Sequence, residues 1–187
     1  GDADFNDVPD FAAADPRFQD QEFDADLPLP AELTVGLSYQ VTDKWMLAFD
    51  YNRAMWGVYE SLTVSFENGS TSVNPRNYQN ASTYRVGTQY KANDKFTFRA
   101  GWYFDESPVQ DGYFAPETPR NDSMGYTGGL TYQLNSKFGI DFSFLYLHFD
   151  EVDNSYDYYS ENGNVQPFGG TYKSSVFSPG IGITYGF

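Results

Sequence analysis

Along residues 177–187 the chain alternates with a period of two. Phe177, Pro179, Ile181, Ile183, Tyr185 and Phe187 form one set; Ser178, Gly180, Gly182, Thr184 and Gly186 form the other. This period predicts a β-strand whose two faces meet different surroundings. The bulky face carries no charge and the lean face carries no bulk. A soluble sandwich would put bulk in its core and charge outside. The alternation instead predicts lipid on the bulky side and a polar lumen on the other.

The same pattern predicts six more strands. In 31–41, Leu33, Val35, Leu37 and Tyr39 point outward and Thr34, Gly36, Ser38 and Gln40 inward. From Trp45, Leu47, Phe49 and Tyr51 point outward, with Met46, Ala48, Asp50 and Asn52 inward. Tyr84, Val86 and Tyr90 oppose Arg85, Gly87 and Gln89; Phe96, Phe98, Ala100, Trp102 and Phe104 oppose Arg99, Gly101 and Tyr103. Met124, Tyr126, Leu130 and Tyr132 oppose Gly125, Thr127, Gly129 and Thr131, and Phe138, Ile140, Phe142, Phe144 and Tyr146 oppose Gly139, Asp141 and Ser143.

Short turns at 42–44, 92–94 and 135–137 separate these strands, as do long loops beginning at Glu67, Asp105 and Asp150. Bacterial outer-membrane barrels have short periplasmic turns and long extracellular loops. Turn and loop alternate correctly only if 45–67 is one strand. The sequence therefore predicts one long strand, bulged near Trp56 where the phase changes, with its upper part above the bilayer. Single-chain bacterial barrels use even strand numbers, and a narrow barrel must fill its interior with side chains. Seven strands with lean inward faces fit neither condition. The expected fold is all-β: an antiparallel transmembrane β-barrel, of which these are the C-terminal seven or so strands. Residues 1–30 are expected to form an acidic extracellular loop following a strand not included in the sequence, and 31–187 the barrel part.

Composition narrows the classes. A net charge of −15 argues against a nucleic-acid partner. Aromatics at 19% argue against a disordered acidic chain. No run of 18 apolar residues predicts a transmembrane helix, which does not touch the barrel reading. With no cysteine there is no disulfide framework and no thiolate metal site. The acids of 1–30 could serve a divalent cation or simply be solvated; none has EF-hand spacing, so no metal or cofactor is expected. Phe5, Phe11, Phe18 and Phe23 predict that this segment packs on something. Tyr39, Trp45, Tyr90, Phe96, Tyr132, Phe138, Tyr185 and Phe187 lie beside the short turns or at the terminus, and Tyr84, Trp102, Tyr126 and Tyr146 near the opposite strand ends. Two such rings are the expected interfacial girdles in outer-membrane lipid. His148, the one histidine, is outward by phase while Ser143 and Asp141 are inward, which makes a poor triad; no catalytic residue and no enzyme are expected.

Several segments carry a resemblance. Leu29-Pro30 opening a strand, Tyr84-Arg85-Val86-Gly87-Thr88-Gln89-Tyr90, Phe96-Thr97-Phe98-Arg99-Ala100-Gly101 and above all Phe104-Asp105-Glu106-Ser107-Pro108-Val109 resemble the C-terminal half of the FadL family. These are fourteen-stranded outer-membrane transporters of long-chain fatty acids and other hydrophobic compounds. The resemblance covers roughly residues 27–187. It implies passive uptake: a hydrophobic ligand such as a fatty acid is caught outside, enters a lumenal pocket and leaves sideways into the membrane. It also implies a partner, the N-terminal half of the barrel. Arg76 stands where the family has a basic residue near the ligand head group, and Asp105 where it has a pocket acid.

By phase, Arg85 and Arg99 are inward on neighbouring strands. Reflection about the Asn93 turn makes them diagonal neighbours, suited to a carboxylate. Alternatively Asp50, Asp105 or Asp141 neutralise them in a wall network. Tyr103, Leu145 and Leu147 are inward and could line an apolar patch or act as filler. The functional reading is uptake of hydrophobic compounds. The alternatives are a general porin or structural barrel, and a soluble β-rich binding module. A soluble module would bury Ile181, Phe142 and Trp102 together in one interior.

Overall fold

A computed structural model describes residues 1–10, 19–116, 120–161 and 164–186; Phe11, Asp15, Phe18 and Phe187 lie outside them. The chain opens with β1 (Asp2–Ala3) and β2 (Gln21–Asp26). Two long strands follow, β3 (Glu32–Thr42) and β4 (Trp45–Ala54), then the short β5 (Ser61–Phe66) and β6 (Thr71–Pro75). Four more long strands are β7 (Ala81–Lys91), β8 (Phe96–Asp105), β9 (Ser123–Gln133) and β10 (Phe138–Phe149). Short strands β11 (Val152–Tyr156), β12 (Ser160–Glu161), β13 (Asn164–Val165) and β14 (Phe168–Tyr172) precede the last long one, β15 (Ser175–Tyr185).

The seven long strands form one antiparallel sheet in the order β15-β10-β9-β8-β7-β4-β3. Each pairs with its sequence neighbour among the long strands, so the wall is a simple meander. Its strands run 10 to 12 residues, close to the ~9–11 that cross a bilayer when tilted. Among the described residues β3 and β15 are its unpaired edges.

The bulky face is a surface. Ile181, Phe142 and Trp102 are 74%, 47% and 36% exposed, so the soluble-module expectation of a shared interior fails. Cross-strand register joins the face into bands. One runs Phe49, Val86, Trp102, Tyr126, Tyr146, Phe177. Near the short turns Phe96 stacks on Tyr132 at 5.0 Å and Phe138 lies opposite Tyr185; near the far ends Tyr51 meets Tyr84 at 5.3 Å. These are the two predicted girdles. Thr88, a hydroxyl on the outward face, is satisfied locally: the Trp45 indole N–H donates to it at 2.8 Å, and it donates to the Met46 carbonyl at 3.1 Å. In lipid an unpaired hydroxyl would have no water to turn to.

Among the described residues, buried apolar side chains gather at the long-loop end. The buried apolar residues are Ala54, Tyr59, Ala81, Phe114, Ala115 and Tyr156. They sit at the upper tips of β4 and β7 or in the loops above them. Backbone bonds lock this cap together: Gln79 N–H to Pro108 O, Phe114 N–H to Ser155 O, Asp157 N–H to Gly112 O and Asp150 N–H to Asp122 O, at 2.8 to 3.0 Å.

Three expectations are corrected here. Residues 45–67 are not one bulged strand. β4 ends at Ala54, a 3-10 turn spans Trp56–Val58, and β5 joins a separate sheet, β1-β2-β5-β6. The Gly57 N–H bonds to Asn80 Oδ1 at 2.9 Å, anchoring the turn where a straight strand would have continued. The segments read as irregular also hold strands. β2 in the acidic opening pairs with β5, with Phe23 6.4 Å from Phe66, and β6 lies in the supposed loop 68–81. Finally, the turn at Asn93 is two residues out of the predicted register. Asn93 Oδ1 accepts the N–H groups of Lys95 and Phe96 at 2.9 and 3.0 Å, and Lys91 pairs with Thr97. The side-chain cap moves the centre of the turn toward Asp94.

Candidate lumenal binding site

Register also sorts the inward face into bands. The uppermost full band reads Gly36, Asp50, Arg85, Tyr103, Gly125, Leu147, Val176. One half is charged and the other apolar. The band below reads Ser38, Ala48, Gly87, Gly101, Thr127, Leu145, Ser178. Its small side chains leave space under the first. The next contains Met46, Gln89, Arg99, Gly129, Ser143 and Gly180.

Tyr103 and Gly125 explain each other. A Cβ at Gly125 would collide with the Tyr103 ring, so the ring occupies the space over the glycine, between Tyr103 and Leu147 in the band. The result is an apolar shelf of Tyr103, Leu145 and Leu147 beside Arg85. Arg85 is exposed and, among the described residues, makes no hydrogen bond or ion pair. Its cross-strand neighbour Asp50 leans the other way, its carboxylate lying over Gly36.

Arg99 is placed differently. The corrected register sets it opposite Gln89, while Arg85 faces Tyr103. The arginines are four residues apart along the wall, ~13 Å, and are not diagonal neighbours. Arg99 Nε donates to Gln89 Oε1 at 2.8 Å and Nη1 to Thr131 Oγ1 at 2.7 Å. Thr131 in turn donates to Asp141, which also accepts from Thr184 at 3.1 Å. The wall-network alternative thus describes Arg99 and Asp141.

Arg76 lies off the wall altogether. It is 6% exposed within the cap, its guanidinium 5.6 Å from the centre of the Tyr156 ring. Asp105 sits at the upper rim of β8, accepting from Thr83 Oγ1 at 2.5 Å and paired with Arg120. The motif around it is a clasp. The Glu106 N–H bonds to Ser82 O at 3.0 Å while the Glu106 carboxylate accepts the Ser82 N–H at 2.9 Å. The Ser107 hydroxyl donates to Arg120 O at 2.8 Å, and the Ser107 N–H to Asp122 at 2.7 Å. The clasp ties 78–82 and 120–122 to the top of the wall. Beside it, over Arg85, lies a mouth of about 540 Å³, lined by Trp56, Tyr78, Thr83, Arg85, Asp105 and Arg120 among others.

Sequence reasoning missed Arg120, Trp56 and Tyr78. Trp56 and Tyr78 form an edge-on pair at 6.0 Å. Loop residues have no period to assign them a face; the available signal was that Arg120 is the one cation in an 18-residue loop, 105–122.

The comparisons with known proteins agree with this geometry. Residues 11–187 match the family described as Outer membrane protein transport protein (OMPP1/FadL/TodX). Outer membrane protein P1 of Haemophilus influenzae is 30% identical over 135 residues, 69% of this chain and 29% of that protein. The long-chain fatty acid transport protein of Escherichia coli K12 is 27% identical over 147 residues, 76% of this chain and 33% of that protein. A crystal structure of a Pseudomonas aeruginosa FadL homologue superposes with a TM-score of 0.76 at 25% identity, over 93% of this chain and 40% of that one. The Pseudomonas putida toluene transporter TodX shares the fold, with a TM-score of 0.63 at 23% identity over 89% of this chain and 37% of that one. The chain spans about a third of the length of the curated relatives it matches. Its lipid-facing aromatic bands, lean inner wall and clasped loops are those of an outer-membrane β-barrel, and the chain belongs to the OMPP1/FadL/TodX family of outer membrane transport proteins.

Proposed function

We propose that this wall, closed into a barrel by further strands, admits hydrophobic compounds with an anionic end across the outer membrane without an energy source, long-chain fatty acids among them. The observation that carries the reading is the upper lumenal band: an unpaired guanidinium, Arg85, beside the shelf of Tyr103, Leu145 and Leu147. A carboxylate gains a charge-assisted hydrogen bond there, and each methylene laid on the shelf leaves water for about 0.8 kcal/mol. The likeness to the long-chain fatty acid transport protein of E. coli and to the toluene transporter TodX supports a hydrophobic cargo. The lower lumen is polar, with Arg99, Gln89, Thr131 and Asp141 bonded to one another. Apart from Met46 a hydrocarbon tail meets mainly polar groups on that floor among the described residues, which supports departure sideways into the bilayer rather than straight down.

The test is equilibrium binding of oleate to the closed barrel in detergent, with Arg85→Met and Arg76→Met compared. The reading predicts saturable binding that Arg85→Met weakens about tenfold, the worth of one charged hydrogen bond. Binding weakened by Arg76→Met and untouched by Arg85→Met would move the head-group site to the cap and contradict it.

A further inference from the structure

We propose that Arg120 is a positioning residue which keeps Arg85 free to receive an anion, by holding Asp105, a neighbouring carboxylate that would otherwise turn to it. The inference rests on the lumenal site just described and adds the source of its charge preference. Arg85 lies opposite Tyr103, so Asp105, two residues further along β8, is its diagonal neighbour. Diagonal positions are about 7–8 Å apart and within reach of long side chains. An arginine beside an aspartate on a polar wall would ordinarily close into an ion pair, leaving no net charge for a ligand.

Here each acid around Arg85 is turned elsewhere. One Asp105 oxygen accepts from Thr83 and the other is paired with Arg120. Glu106 is held by the Ser82 N–H, and Glu32 accepts from Asn52 at 3.4 Å. The Asp50 carboxylate lies over Gly36. Of these arrangements the Asp105 one depends on a residue from outside the wall. Arg120 is brought to the rim by its own backbone, whose carbonyl accepts the Ser107 hydroxyl. The clasp therefore does more than fasten a loop: it delivers a cation to the rim acid. Remove that cation, and the freed Asp105 oxygen turns to Arg85.

The experiment uses the closed barrel and two probes of equal chain length, oleate and oleyl alcohol. The readout is the ratio of their affinities, which a general loss of packing would not move. Arg120→Met is expected to lower the oleate-to-alcohol ratio about tenfold, and adding Asp105→Asn to it should restore the ratio to within about threefold. Arg120→Lys should retain most of the preference. An unchanged ratio in Arg120→Met overturns the inference. So does a lowered ratio that Asp105→Asn leaves low, because Arg120 would then be touching the ligand itself. Arg85→Met separates the two levels. If it abolishes the preference while Arg120→Met does not, the site stands and the role of Arg120 falls. If it leaves the preference intact, both fall.

Discussion

The wall and the cap solve opposite problems with the same kind of strand. In the wall, seven strands are paired side to side and, among the described residues, bury no large side chain below their upper tips; most of their outward aromatics are exposed and their inward faces are largely lean. In the cap, short strands β5, β6, β11 and β14 surround enclosed residues, and Phe114 is 1% exposed. The cap is built like a small soluble protein, by removing side chains from water. The wall relies on its ladder of backbone hydrogen bonds and on a solvent that accepts its bulky face. Substitutions should therefore have different consequences in the two regions.

The largest effect is expected in the cap. Phe114 contacts Tyr172 at 4.7 Å, and its N–H bonds to Ser155 O. Phe114→Ala should weaken the cap by about 3–5 kcal/mol. Hydrogen exchange at Phe114 and Asp157 should accelerate more than a hundredfold while β9 and β10 stay protected. Equal acceleration in both regions would mean that they are one cooperative unit.

The next effect belongs to the wall. Phe142→Lys places a charge on the lipid face and should cost about 2–4 kcal/mol in refolding from urea into phospholipid vesicles. Its chain neighbour Ser143→Lys, facing the lumen, should cost about 1 kcal/mol or less. Reversed costs would invert the two faces.

A smaller effect should dissociate stability from binding. In Gly125→Val the new side chain needs the space of the Tyr103 ring, whose far end can rotate away. The stability change should be under about 1 kcal/mol, within the span of strand preferences. Oleate affinity should fall measurably because the displaced ring breaks the shelf. Unaltered affinity would show that Tyr103 is filler.

The smallest effect is electrostatic and lies in the cap. The Tyr158 hydroxyl donates to Tyr113 at 2.7 Å, and this bond holds the Tyr158 pKa above the usual phenol value. A phenol raised on folding favours the folded form below its unfolded pKa, ~10. That contribution is lost as pH rises through the higher folded value. Ultraviolet titration should show a late-ionising tyrosine that Tyr113→Phe returns to the normal range; an unchanged titration would place the cause elsewhere.

Much of the wall was legible because lipid enforces a strict alternation. Each predicted long strand other than 45–67 lies within a residue or two of its observed bounds, and Arg85, Tyr103, Leu145 and Leu147 fall on the inward bands. Residues 45–67 misled because Leu62, Val64 and Phe66 keep a strand period after β4 has ended; Val64 and Phe66 pair with Ala25 and Phe23, far away in sequence. The register at Asn93 was hidden because a side-chain cap, not strand patterning, sets the turn. Arg120 was illegible for the reason the cap is: its place depends on bonds among distant loop segments. Residues such as Ser107 and Asp122 have no periodicity to announce them.

The central claim is that one face of each wall strand meets acyl chains while the other meets water. Since the chain has no cysteine, single cysteines at 140–145 in β10 can each carry a nitroxide in the vesicle-reconstituted barrel. The account predicts that collision with oxygen, which concentrates in lipid, peaks at Ile140, Phe142 and Phe144, and that collision with a water-soluble nickel chelate peaks at Asp141, Ser143 and Leu145. Two profiles in phase with each other, or neither alternating, would contradict it.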